Sequence, residues 1–154
     1  MKYTLFFAAL FCLNFASAQQ NLRLTYSKGV GGQFGGPTSM ASVYYNAFLD
    51  QNSNIEFGLG LIGAYGGYRY YFGKADSPQV VSPYIGALVS IIPPLTSKQS
   101  TRLFYFPIGI QAMSKDGWNV SLEVAPILMR ELGAPSGTPN DKLVFGALRF
   151  GKNF

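Results

Sequence analysis

Apolar and polar residues alternate along most of the chain after residue 20, and this two-residue period is typical of β-strands. The alternation is clearest in two neighbouring segments, around positions 104–112 and 118–128. In both, one face is apolar, and the opposite face carries polar, small and tyrosine residues. The apolar positions of these segments include Phe104, Phe106, Ile108, Ile110, Trp118, Val120, Leu122 and Val124.

The same pattern predicts eight strands over the chain. Glycine, tyrosine, phenylalanine, valine and isoleucine dominate the segments between turn-forming clusters, which is the composition of strands. Helical periodicity is weak throughout. The predicted strands span residues 21–28, 40–49, 54–62, 66–73, 82–92, 102–114, 117–129 and 142–153.

The stretch from Ile55 to Phe72 is open to two interpretations. Apolar residues occupy odd positions in its first half and even positions in its second half, so a continuous strand would send Glu56 and Arg69 to opposite faces. The glycines of segment 63–66 permit either a tight turn or a bulge. A turn gives eight strands and a bulge gives seven. Because bacterial single-chain barrels have even strand numbers, eight is favoured.

Composition indicates which face of the strands is expected to look outward. Only 12% of residues are charged, whereas soluble domains have about 25%. The charges within strand interiors, Glu56, Arg69, Glu123 and Arg149, all lie on the polar face. A Lys or Arg facing lipid at mid-depth costs about 2–4 kcal/mol. We therefore predict that the apolar face meets lipid and that the four charges form a network in the lumen.

The first 18 residues have the features of a signal peptide. Lys2 is followed by an apolar run from Leu5 to Phe15 and by the small residues of segment 16–18, Ala-Ser-Ala. The prediction is therefore a signal peptide over 1–18 and a barrel domain over 19–154. The chain's one cysteine, Cys12, lies in this leader, so the processed chain would have no disulfide and no thiol nucleophile.

The predicted connections fall into two classes. Linkers 29–39, 93–101 and 130–141 are long and contain much Gly, Pro, Ser and Thr, whereas 50–53 and 115–116 are short. Long loops on one side and short turns on the other are typical of outer-membrane barrels. The tight region at Gly63 and the linker 74–81 depart from this rule.

Two stretches give the chain a family resemblance. The segments 67–72 (GYRYYF) and 82–87 (SPYIGA) resemble a hairpin common in small outer-membrane β-barrel proteins of the porin-like superfamily. Phe150 and Phe154 resemble the C-terminal signal read by the barrel-assembly machinery, although Lys152 stands where an apolar residue is usual. The resemblance covers nearly the whole chain after the leader. It implies an antiparallel up-and-down transmembrane β-barrel in a Gram-negative outer membrane, with outer-membrane lipid and the assembly machinery as partners.

The sequence predicts no catalytic site, metal site or cofactor. It contains no histidine, which removes Ser/His triads and imidazole ligands. The basic residues are scattered, so a nucleic-acid surface is not expected. The Glu56 and Glu123 carboxylates fit a neutralised network better than an acid–base pair. We expect a structural or interaction role through outward loops, around a filled lumen; a soluble periplasmic or secreted ligand-binding barrel and a narrow small-solute porin are the alternatives. The sequence identifies no ligand.

Aromatic residues are predicted on both faces of the strands, in the lumen and on the lipid-facing side. Tyr44, Tyr71 and Tyr105 fall on polar faces and are expected to fill the lumen. Tyr68, Tyr84 and Trp118 are among those expected in the girdles that barrels place at lipid headgroups.

Overall fold

The computed structural model describes residues 21–38, 40–76, 79–94, 100–131 and 142–154. The predicted signal peptide, 1–18, lies outside the described residues. In the described residues a helical turn, α1 (Leu22–Thr25), precedes β1, and a short 3-10 turn, η1 (Gly36–Thr38), follows it. The strand segments are β1 (Lys28–Gly35), β2 (Ala41–Phe48), β3 (Ser53–Gly60), β4 (Gly63–Tyr71), β5 (Gln79–Ile92), β6 (Thr101–Tyr105), β7 (Ile108–Ser114), β8 (Trp118–Glu131) and β9 (Lys142–Asn153).

These segments form a closed, eight-stranded antiparallel barrel, which confirms the predicted all-β fold and strand number. The segments β6 and β7 are two halves of one strand, since both lie between β5 and β8. The strand is interrupted at Phe106 and Pro107, where proline has no N–H to donate. Pairing of β1 with β9 closes the wall.

The region around Gly63 forms a tight hairpin turn rather than a bulge. Leu61 and Ile62 make the turn, and Gly60 pairs with Gly63 across it. The turn reverses the chain, so Glu56 and Arg69 reach the same interior despite their opposite parity. The two-strand interpretation is therefore correct.

The strands are strongly staggered around the wall. Following directly paired residues around the wall from Val30 on β1 leads to Lys142 on β9. Val30 itself pairs with Lys152 on the same strand. The strands are therefore offset by ten residues over one full circuit of the barrel. Such a stagger requires the strands to tilt, by about 35–45° from the axis in known barrels. Eight tilted strands enclose a space just wide enough for side chains to fill.

The first predicted strand is wrong. The sequence predicts an extended segment over 21–28 and a loop over 29–39, but α1 covers Leu22–Thr25 within the first range and β1 covers most of the second. Asn21 starts the helical turn, because its side chain accepts a hydrogen bond from the Arg23 backbone N–H at 3.1 Å. The glycines of 29–35 suggested a loop, yet they belong to a strand packed tightly against its neighbours. The other strands lie within three residues of their predicted bounds, and β9 matches its range in full.

Inward glycines make room for large side chains on the neighbouring strand. Gly31 lies directly opposite Tyr44, and a Cβ atom added there would overlap the tyrosine ring. The same arrangement recurs around the wall, where Gly58 faces Tyr65, Gly109 faces Tyr84 and Gly67 faces Leu88. We call these four contacts the glycine joints. They explain why glycine, a poor strand former, is common in these strands.

Replacing Gly31 by valine should destabilise the barrel by about 1–3 kcal/mol, because the new side chain would clash with the Phe150 carbonyl oxygen and with the Tyr44 ring. Gly32→Val is the matched control. Gly32 is the next residue of β1 and a Cβ there would meet only the Ser42 carbonyl oxygen, at 3.9 Å. Denaturant unfolding followed by tyrosine and tryptophan fluorescence measures the difference. Equal stability of the two variants would contradict the steric role of glycine at this joint.

Candidate functional site

The four charged residues of the strand interiors meet in the centre of the barrel. Glu56 and Arg69 come from β3 and β4, and Glu123 and Arg149 from β8 and β9. All four are buried, with at most 6% of any residue exposed. The sequence could place each of them on an inward face, and the closure of the wall brings them together. We call this group the central network.

Each carboxylate of the central network faces both guanidinium groups. Arg69 donates to Glu123, and its Nε lies 3.3 Å from a Glu56 carboxylate oxygen. Arg149 donates to Glu56, while its Nη1 lies 3.9 Å from Glu123. Two negative and two positive charges thus neutralise one another. A buried ion pair costs stability unless its geometry is good and its remaining polar atoms are bonded.

Tyrosines complete the surroundings of the network. The hydroxyls of Tyr84 and Tyr105 donate to Glu123, the latter at 3.0 Å. Tyr65 donates to Glu56 at 3.1 Å. The Arg149 guanidinium lies over the Tyr44 ring, 4.3 Å from its centroid, which adds a cation–π contact. The carboxylates therefore accept from hydroxyls as well as from cations.

Tyr84 corrects the sequence prediction, which placed it in an outer aromatic girdle. It is fully buried in the lumen, beside Tyr71 and against Arg69. The physical reason is parity, since Tyr84 shares its face of β5 with the buried residues Ser82 and Leu88. That signal was present in the sequence. Tyr44, Tyr71 and Tyr105 are buried in the lumen, as their parity predicts.

Both ends of the lumen are covered. At the end formed by the turns after β2, β4 and β7, which we call the base end, α1 folds inward and Leu22 and Arg23 are buried. At the opposite end, the loop end, η1 enters the barrel and Thr38 is fully buried. Leu88 and Leu103 form an apolar cluster nearby. Neither cover could be recognised from the residue pattern, because the pattern assigns both segments to other elements.

Neither carboxylate of the central network is available for chemistry on a soluble substrate. Both are buried and bound to guanidinium and hydroxyl groups. Within the described parts of the chain, no group of three or more His, Cys, Asp and Glu residues could hold a metal ion. The ion pairs and hydrogen bonds of the central network link the side chains of β3, β4, β5, β6, β8 and β9 across the lumen.

The outer wall is apolar. The eight residues predicted to face lipid all point outward, with 36–65% of their surface exposed. Among the described residues of the strands, the outward charges Lys28, Arg102 and Lys152 lie near strand ends. Two shallow apolar grooves, of about 730 and 770 Å³, run between outward side chains of β1–β4 and of β5, β7 and β8. Phe150 and Phe154 also point outward, and Lys152 lies 4.9 Å from the Trp118 ring.

Comparison of the chain with known protein families, with curated proteins and with solved structures finds no match. The porin-like resemblance therefore rests on the sequence motifs alone. Among the residues that the structure describes, no helix is long and apolar enough to cross a membrane.

Proposed function

We propose that this chain is an outer-membrane β-barrel protein of a Gram-negative bacterium, with a structural or interaction role. Its lumen is filled by side chains, and the connections at the loop end form its interaction surface. The observation that carries the proposal is the inverted wall, with charges and tyrosines inside and large apolar side chains outside. A soluble barrel has the opposite arrangement, with its apolar face inward.

The energetic argument concerns side chains such as Leu122 and Ile108, which are more than half exposed. Apolar surface in contact with water is unfavourable by about 25 cal/mol per Å². Spread over the outward face of the wall, this penalty is large in water and vanishes in hydrocarbon. The buried arginines also support a lipid environment around the wall, because their placement in the lumen keeps positive charge away from the hydrocarbon.

The longer strands suit a bilayer. The segments β5 and β8 have 14 residues each and β9 has 12, whereas β1, β2 and β3 have eight each. A tilted transmembrane strand needs about 9–11. At the base end, Tyr68, Tyr70, Trp118 and Phe154 point outward. Tyrosine and tryptophan favour the headgroup region, so these residues would form one aromatic girdle.

Two sequence motifs support the proposed export and assembly. The predicted signal peptide over 1–18 would direct the chain through the inner membrane. Phe150 on the last strand and Phe154 directly after it point outward, where the barrel-assembly machinery would read them. Outer-membrane lipid and this machinery are the proposed partners.

Membrane fractionation combined with heat-modifiable gel migration tests the proposal. A folded outer-membrane barrel is expected in the outer-membrane fraction and should change its migration only after boiling in detergent. A soluble ligand-binding barrel would be released with the periplasmic contents and would migrate alike with and without boiling. That second result would overturn the membrane assignment.

The filled lumen leads to a prediction about conductance. In planar bilayers the wild-type protein should show no steady current, because the central network and the two end covers occupy the lumen. The matched comparison is an open porin inserted under the same conditions. Steady conductance of the wild type would contradict the closed lumen and support the narrow-porin alternative.

A further inference from the structure

The base end contains a cation site that the central network does not use. Arg23 of α1 is 1% exposed, and in the described residues it forms no ion pair. A buried cation without a carboxylate needs other acceptors, because desolvation is unfavourable for its charge. Burial accordingly lowers the pKa of Arg23 from its usual value.

The acceptors come from two turns and from the wall. The Arg23 guanidinium donates to the Gln51 carbonyl, to the Gly73 carbonyl at 3.3 Å and to the Phe72 carbonyl at 3.5 Å. It also donates to the Ser82 hydroxyl. The Tyr71 ring lies 5.1 Å from its central carbon. Planar donors aimed at several oxygens, together with an aromatic face, suit a guanidinium better than an ammonium group.

The barrel wall is complete without α1. Lys28 and Phe154 exchange backbone hydrogen bonds at the closing seam, so the wall begins after the helical turn. Beyond Arg23, Leu22 holds α1 to the barrel: its N–H donates to the Ala75 carbonyl at 2.9 Å, and its side chain packs against Ala75, Val80 and Met113. The flanking residues add two hydrogen bonds, from the Asn21 side-chain amide to the Gln51 side chain at 3.1 Å and from the Asn153 side-chain amide to the Tyr26 carbonyl at 3.0 Å. The acceptors therefore belong to the barrel, and α1 is a separate segment whose Arg23 side chain lies among them.

We propose that the base end is a guanidinium-binding site of the barrel, occupied by Arg23 of the same chain and open to an arginine-bearing peptide once α1 is displaced. The site consists of the carbonyls of Gln51, Phe72 and Gly73, the Ser82 hydroxyl and the Tyr71 ring. This inference goes beyond the proposed function. The guanidinium site would exist whether the barrel lies in a membrane or in solution, so the site and the proposed membrane function can be disproved independently.

The test uses a single reporter cysteine in the full-length chain carrying Cys12→Ser. Ala75→Cys reports on the cover, since Ala75 is fully buried against Leu22. Ser121→Cys is the control, because Ser121 is buried beside the central network and away from α1. Arg23→Glu releases α1, as a carboxylate is repelled by carbonyl oxygens. We expect it to speed maleimide labelling at position 75 by about tenfold or more, through local opening, and to leave position 121 unchanged.

The second step asks whether the site accepts a peptide in trans. A synthetic peptide of residues 21–26 should restore protection at position 75 in the Arg23→Glu chain, and the same peptide with alanine in place of arginine should not. Protection by neither peptide, or by both equally, would overturn the proposal. So would slow labelling of the folded Arg23→Glu chain.

A folding failure of Arg23→Glu, seen as loss of the β-sheet signal in circular dichroism, would move the test to the chain with Arg23 intact. There, arginine amide in excess should compete with Arg23 and speed labelling at position 75. Lysine amide at the same concentration should do so less. Unchanged labelling with both amines would overturn the proposal.

Discussion

Leu122→Arg should sharply reduce the fraction of chain that folds in lipid vesicles, whereas Leu61→Arg should reduce it little. Leu122 lies outward within β8, and Leu61 lies in the turn between β3 and β4; both are more than 60% exposed. Arginine costs about 2–4 kcal/mol at the bilayer midplane and about 0–1 kcal/mol near the interfaces. The heat-shifted gel band measures the folded fraction.

This pair of variants shows whether lipid or water surrounds the outer wall. In a water-soluble barrel, both leucines are surface residues, and arginine at either position would be tolerated. Equal folding of the two variants would therefore contradict a hydrocarbon environment. Because the residue type and the exposure are matched, depth in the bilayer is the main difference between the sites.

Glu123→Ala should destabilise the barrel by about 3–5 kcal/mol, the cost of breaking a buried ion pair by removing one partner. The substitution leaves Arg69 without its main partner and removes the acceptor of Tyr84 and Tyr105. Denaturant unfolding in detergent micelles measures the loss. Asp116→Ala, in the exposed turn after β7, is the control and should change stability by less than about 0.5 kcal/mol.

A double variant tests whether charge balance is the cause. Removing Arg69 together with Glu123, as Arg69→Met and Glu123→Ala, leaves Glu56 paired with Arg149. The double variant should be more stable than the sum of the single losses predicts, which is the sign of a direct interaction. Simple additivity of the two losses would show that packing, rather than charge, dominates at this position.

The alternation of side chains predicted much of the fold. It placed Glu56, Arg69, Glu123 and Arg149 on inward faces, because a two-residue period needs only local sequence. Alternation cannot predict which of these charges form ion pairs inside the lumen. Arg69 and Glu123 are 54 residues apart, and which carboxylate meets which cation depends on the stagger of the closed wall.

The first strand shows where sequence reasoning fails. The glycines of segment 29–35 predict a loop, but at Gly29 and Gly31 the missing side chain leaves space for side chains of neighbouring strands. A Cβ atom at Gly31 would overlap both the Tyr44 ring on the next strand and the Phe150 carbonyl on the last strand. A helical turn of four residues, such as α1, has too little length to show a period. Its burial depends on turns that lie far away in the sequence.

The glycine joints also bear on how the strands find their alignment. A shift of two residues between neighbouring strands would preserve every inward and outward face, so alternation alone cannot reject it. At Tyr84 such a shift would replace Gly109 by Pro107 or Gln111, and the ring would meet a side chain where space is required. Each joint thus acts as a steric check on register, and misaligned hairpins would be rejected while the barrel is still closing.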